Sequence, residues 1–130
     1  MEDTLQDENS AQSPAFAGDT EELAVALAQL IQDHRGIDVV VLDMREHSSW
    51  TDFFIIATVT SGAHVQGLLR HIKEYARDRG IEILRNHRKA TEDSWHYVDL
   101  GTLVIHLMTA ASRSFYELER LWSTAPQIRL

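Results

Sequence analysis

The chain contains no cysteine, which excludes disulfides, thiolate metal sites and thiol nucleophiles. Such a chain suits a reducing compartment. Long apolar runs are missing as well, and no stretch approaches the roughly 20 apolar residues of a membrane-spanning helix. The leading residues Met1 to Asn9 are acidic and polar, unlike a secretory or transit peptide. The expected location is therefore the cytoplasm, with no membrane partner. Proline is scarce, and the six glycines stand singly at Gly18, Gly36, Gly62, Gly67, Gly80 and Gly101. A phosphate-cradling loop needs clustered glycines, and no strand–Gly-x-Ser-x-Gly–helix elbow is present.

Positive charge is absent from the first 22 residues. Of the 20 acids in the chain, seven lie there (Glu2, Asp3, Asp7, Glu8, Asp19, Glu21, Glu22), leaving 13 against all 12 Lys and Arg. The formal net charge of −8 thus belongs mainly to the leading segment. A nearly neutral body argues against binding driven by phosphate neutralisation, which needs clustered cations. Strong direct nucleic-acid binding is not expected. Arg85, Arg88 and Lys89 form a short basic cluster, read as a solvated loop.

What is present is enough for one domain, since 130 residues fall within the usual range of about 100–200. Residues 1–18 combine acids with Ser, Gln, Pro and Gly and lack apolar periodicity, which predicts a disordered tail. Asp19 or Thr20 then caps a helix with the stripe Leu23, Ala26, Leu27, Leu30 and Ile31. Gly36 stops it, as a residue that tolerates the left-handed conformation. The β-branched run Ile37 to Leu42 and the run Phe53 to Val59 predict two buried strands joined by a polar connector, Asp43 to Asp52. Ser61 caps a second helix with Val65, Leu68, Leu69, Ile72 and Ala76 inward, ending at Gly80. Ile81 to Arg85 reads as a third strand, and Asn86 to Ser94 as a polar loop. Trp95 to Asp99 and Leu103 to Met108 form an antiparallel hairpin around Leu100-Gly101. A last helix, Ser114 to Trp122, has Phe115, Leu118, Leu121 and Trp122 on one side, and Pro126 marks the end of regular structure. The sum is a single α/β domain with a mixed β-sheet of about five strands packed by helices.

The chemistry-bearing residues do not assemble into a known reaction centre. Seven histidines occur, at His34, His47, His64, His71, His87, His96 and His106. His64 and His71 share a helix side, yet spacing supplies no third zinc ligand. No metal and no cofactor are expected. His106 lies in an apolar strand and reads as a hydrogen-bonded core or interface histidine. Ser48, Ser49, Asp43 and Asp52 lie near His47, but nothing fixes them as nucleophile and base. A nucleotidyltransferase needs paired carboxylates on a strand to hold magnesium, whereas Asp99 ends its strand alone. Alternation along Trp95 to Leu100 sends Trp95, Tyr97 and Asp99 to one sheet face and His96, Val98 and Leu100 to the other. The Trp/Tyr/carboxylate face is suited to binding, since Trp and Tyr are frequent hot spots; on composition alone, Trp95 capping the core is the reading slightly favoured.

Three segments taken together resemble one family. Asp38 to Asp43, then Ser48, Ser49, Thr51, Asp52 and Phe53 to Thr58, are similar to its entry strands. Trp95-x-x-Val98-Asp99-Leu100-Gly101-x-x-Val104-Ile105-His106 is similar to its central hairpin. Arg113-x-Phe115-Tyr116-Glu117-Leu118-Glu119-x-Leu121-Trp122 is similar to its C-terminal signature. The family is that of the ribosomal silencing factors, RsfS/Iojap. The resemblance covers residues 19–123 as the domain and leaves 124–130 as an extension. It implies a nucleotidyltransferase-like domain without catalytic residues, hence not an enzyme. It also implies binding to ribosomal protein L-fourteen of the large subunit, steric blocking of small-subunit association, and repression of translation under nutrient limitation. A homodimer off the ribosome is expected too. Carried over by position, the partner-binding residues are Trp95, Asp99 and Leu100, with Thr102 and His106. The chain departs from the pattern at Asn86-His87-Arg88, where Glu-Gly is common, and at Gly101-Thr102, where Gly-Asp is usual. The alternative function is a nucleotide-binding or nucleotidyltransferase-type enzyme, and a third is an interaction domain with another partner.

Overall fold

The structure, a computed structural model, describes residues 20–88 and 94–130. The tail expected at residues 1–18, and Lys89 with the loop residues 90–93, lie outside the described residues. Helix α1 (Thr20–Asp33) carries Glu21 and Glu22 in its first turn, where acids complement the helix dipole. It buries Leu23, Ala24, Leu27, Ala28 and Ile31. The left-handed residue past its end is Arg35 (φ 74°), not Gly36. Gly36 is needed for a different reason: a Cβ there would stand 2.4 Å from Ile31 Cγ2 and 2.9 Å from the Ile31 carbonyl oxygen. The Gly36 amide donates to that same carbonyl at 2.8 Å, closing the helix end.

Strands β1 (Ile37–Asp43) and β2 (Phe53–Val59) pair antiparallel. Helix α2 (Gly62–Asp78) is capped as its sequence predicts, with Ser61 Oγ accepting from the His64 amide, and it buries the five residues of its stripe. Gly80, at φ 67°, ends it. The expected third strand is displaced. Residues 81–84 are irregular, and β3 is Arg85–Arg88. Ile81 and Ile83 instead pack against the helix-side core. The hairpin of β4 (Trp95–Asp99) and β5 (Leu103–Thr109) forms as expected, antiparallel, with Tyr97 opposite His106.

The single C-terminal helix is in fact two, α3 (Ala110–Tyr116) and α4 (Leu118–Leu121), broken at Glu117 with φ 47°. Arg113 fastens the break. Its guanidinium donates to both oxygens of Glu119 (2.8 and 3.2 Å) and to Thr58 Oγ1 (2.9 Å). The break turns Leu118 inward while Phe115 and Leu121 remain 78% and 69% exposed, so the expected one-sided stripe does not exist. Regular structure also continues past Pro126, because β6 (Gln127–Ile128) pairs antiparallel with β1.

The sheet therefore has six strands in the order β3-β4-β5-β2-β1-β6, with β2 and β5 parallel at its centre. Alternation divides its residues between two cores. Phe53, Ile55, Ala57, Leu103, Ile105 and Leu107 meet α1 and α2 on one face. Phe54, Ile56, Trp95, Val104 and Met108 meet Leu118 and Ala125 on the other. The short C-terminal helices leave part of this second face open as a cleft.

Candidate functional site: an aromatic cleft on the sheet

The cleft has a volume of about 650 Å³, and its floor is the second sheet face. Phe54, Trp95, Tyr97, Asp99, Val104 and His106 line it from β2, β4 and β5. Leu118 and Trp122 wall one side, Leu84 and Arg85 another, and Trp50 stands at the mouth. This volume falls within the roughly 300–1,000 Å³ of ligand and partner pockets, which are mostly apolar with few polar groups.

The floor is organised by one polar pair. The Trp95 indole N–H donates to His106 Nδ1 at 3.1 Å. That bond makes Nδ1 an acceptor, so the imidazole proton resides on Nε2. Nε2 is buried and has no hydrogen-bond partner among the described residues. Burial holds the imidazole far below the usual histidine range, at a pKa of about 4, and His106 is neutral at physiological pH. Around the pair, the rings form a ladder. Phe54 meets His106 edge-on at 4.6 Å and Trp122 at 5.0 Å, and Trp95 contacts Tyr116 at 4.7 Å. Edge-to-face rings at such separations add stabilisation beyond area burial.

The five residues singled out by the sequence are not all brought together. Trp95, Asp99 and His106 share the cleft. Trp95 and His106 are each only 7% exposed, so they shape the floor rather than project from it. Asp99 sits at the hairpin end, where its Oδ1 accepts from the Gly101 amide at 2.8 Å and thereby builds the turn. Gly101 needs its lack of a Cβ at φ 88°. Leu100 points to the opposite face and is buried in the helix-side core. Thr102 is exposed, and its carbonyl accepts from the amides of Asp52 and Phe53, pinning the β1–β2 connector. What sequence reasoning missed is the cleft's other walls: Trp50, Phe54, Leu84, Leu118 and Trp122. Trp50 carried a signal, as a lone aromatic within the polar run from Asp43 to Asp52.

The histidines do not gather into a ligand set, and no group of three or more His, Asp or Glu suited to a metal occurs among the described residues. His64 accepts from the Thr60 amide through Nδ1 and donates from Nε2 to the His34 carbonyl at 3.2 Å. His71 stacks on His34 with ring centroids 3.6 Å apart. These contacts join the end of α1 to α2.

Fold and site together define a mixed α/β domain with an aromatic-walled cleft on the less covered face of its sheet. A sequence model described as "Ribosomal silencing factor during starvation" matches residues 17–130. The chain belongs to the ribosomal silencing factor family. It is 39% identical over 100 residues to the ribosomal silencing factor RsfS of Treponema pallidum, covering 76% of this chain and 88% of that protein. It is 30% identical over 100 residues to "Mitochondrial assembly of ribosomal large subunit protein 1" of Mus musculus, covering 75% of this chain and 43% of that protein. A crystal structure of a Bacillus halodurans protein superposes with a TM-score of 0.69 at 35% identity, covering 85% of this chain and 99% of that one.

Proposed function

We propose that the chain binds the large ribosomal subunit through ribosomal protein L-fourteen, blocks association with the small subunit and so represses translation when nutrients are scarce. The observation that carries this reading is the cleft on β4 and β5, in a member of the silencing factor family. The hairpin that bears the family's pattern is also the one that forms the cleft floor. The mouse relative, named for assembly of the mitochondrial large ribosomal subunit, supports the same partner. The mechanism is steric and involves no chemical step. A bound factor and a docked small subunit exclude each other, and occupancy follows factor concentration relative to its dissociation constant. The factor acts in the cytoplasm, and self-association off the ribosome belongs to the same proposal.

The test is sedimentation of the purified chain with isolated large subunits, together with light scattering of subunit joining. The chain is expected to pellet with large subunits and to lower the yield of joined ribosomes. A chain that stays in the supernatant at micromolar concentration sinks the proposal. Calorimetry with nucleotide and magnesium addresses the enzymatic alternative, and heat of binding there would favour it.

A further inference from the structure

Trp50 is the most exposed tryptophan in the described residues, at 61%, whereas Trp95 is buried and Trp122 half-buried. With Leu84 on the same cleft, Trp50 leaves apolar surface in water around an apolar floor, and contiguous exposed apolar surface of that kind marks interaction sites. The indole is also not loosely held. The connector that bears it is bonded at both ends: the Met44 amide donates to the Asp52 carbonyl at 2.7 Å, and the Asp52 amide to the Thr102 carbonyl at 2.9 Å. The Trp50 amide itself donates to Ser48 Oγ at 3.3 Å. The next residue, Thr51, is buried, so the chain direction turns the indole outward. Below it, the Trp50 ring lies 6.0 Å from Phe54, the start of the ring ladder on the floor.

We propose that Trp50, held at the cleft mouth above Phe54, is the principal anchor of the partner interface and closes over an apolar side chain supplied by a protein of the large subunit. This rests on the function proposed above and names the residue and partner chemistry within it. A held aromatic loses little conformational freedom on binding, so its burial goes largely into affinity. The opposite rim is apolar as well, with Leu84 55% exposed. Among the described residues at this mouth the charged side chains are Arg85 and Asp99, one of each sign and opposite each other in the β3–β4 register. Among the described residues such a mouth suits an apolar protein side chain and shows a single cation, where an RNA backbone requires several clustered together.

The experiment measures binding of the full chain to isolated large subunits for Trp50→Ala, Trp50→Phe and Phe115→Ala at several salt concentrations. Phe115 is exposed but lies outside the cleft lining. Trp50→Ala is expected to melt like the wild type yet bind roughly tenfold or more weakly, the size of a hot spot. Trp50→Phe should recover most of the affinity, and Phe115→Ala should change little. Wild-type affinity in Trp50→Ala overturns the proposal. So does a loss in Phe115→Ala equal to that in Trp50→Ala. Affinity that collapses about a thousandfold between 50 and 200 mM salt identifies RNA as the partner and overturns it too. Should the wild type itself fail to bind large subunits, the proposed function falls, and the anchor with it.

Discussion

Two side chains on the cleft floor, Trp95 and His106, bond to each other at 3.1 Å, and each determines the state of the other. The indole bond fixes the imidazole tautomer, and burial keeps the ring neutral down to a pKa of about 4. In the unfolded chain the same histidine titrates near 6.5. Between these values the unfolded state binds the extra proton, so stability falls as pH falls through the window. The loss is about 3 kcal/mol by pH 4 and is absent above about pH 6.5. Urea melts at pH 7 and pH 4.5 check this, and the double variant Trp95→Phe/His106→Leu should show a smaller drop than the wild type. An equal drop in both proteins sinks the assignment to His106. Asp43 does not confound the window. Its carboxyl is held below the usual value chiefly by the hydrogen bond from Arg45, so its contribution is lost only at still lower pH. That His106 is a buried, hydrogen-bonded histidine was legible from its apolar strand. Its partner was not, because Trp95 reaches it diagonally: in the register Trp95 faces Met108 and Tyr97 faces His106.

The helices end by two versions of one device. After α2 the left-handed position is Gly80, with the Ile81 amide donating to the Ala76 carbonyl at 2.8 Å. After α1 that position is taken by Arg35, a residue for which left-handed backbone costs roughly 1–2 kcal/mol. Arg35→Gly is therefore expected to raise stability by about 1 kcal/mol, whereas Gly36→Ala lowers it by about 1–3 kcal/mol as the new Cβ displaces Ile31. Thermal melts of the two variants give opposite shifts, and a destabilised Arg35→Gly would refute the account. The sequence points to Gly36 as the left-handed stop; only the backbone shows that Arg35 before it bears the strain. The same applies to the displaced third strand. Ile81 and Ile83 have strand character, but they are drawn to the helix-side core. The polar run Arg85–Arg88 takes the ladder bonds to β4 instead. Likewise, the break at Glu117 (φ 47°) accompanies the burial of Leu118 in the second core.

Across the whole molecule, one edge of the sheet is β6, formed by residues that follow a proline in the C-terminal extension. Gln127 and Ile128 pair with Leu42 and Val41, the Asp43 amide donates to the Pro126 carbonyl at 2.8 Å, and Ala125 is buried in the second core. Deleting residues 125–130 removes these contacts, exposes the edge of β1 and unseats Trp122. The expected cost is on the order of 2–4 kcal/mol, read as a lower denaturation midpoint, with weaker binding to large subunits as the cleft wall loosens. An unchanged midpoint would show that the last strand contributes nothing. Sequence alone determined the two long helices, the two entry strands, the central hairpin and the family. Each of these depends on local periodicity, capping and motif order, which are properties of neighbouring residues. Only the tertiary structure decided that Trp95 is the cleft's floor and Trp50 its rim, and that the residues after Pro126 add a sixth strand to the sheet. Those outcomes depend on which distant segments compete for the same apolar surface, and no local pattern encodes that competition.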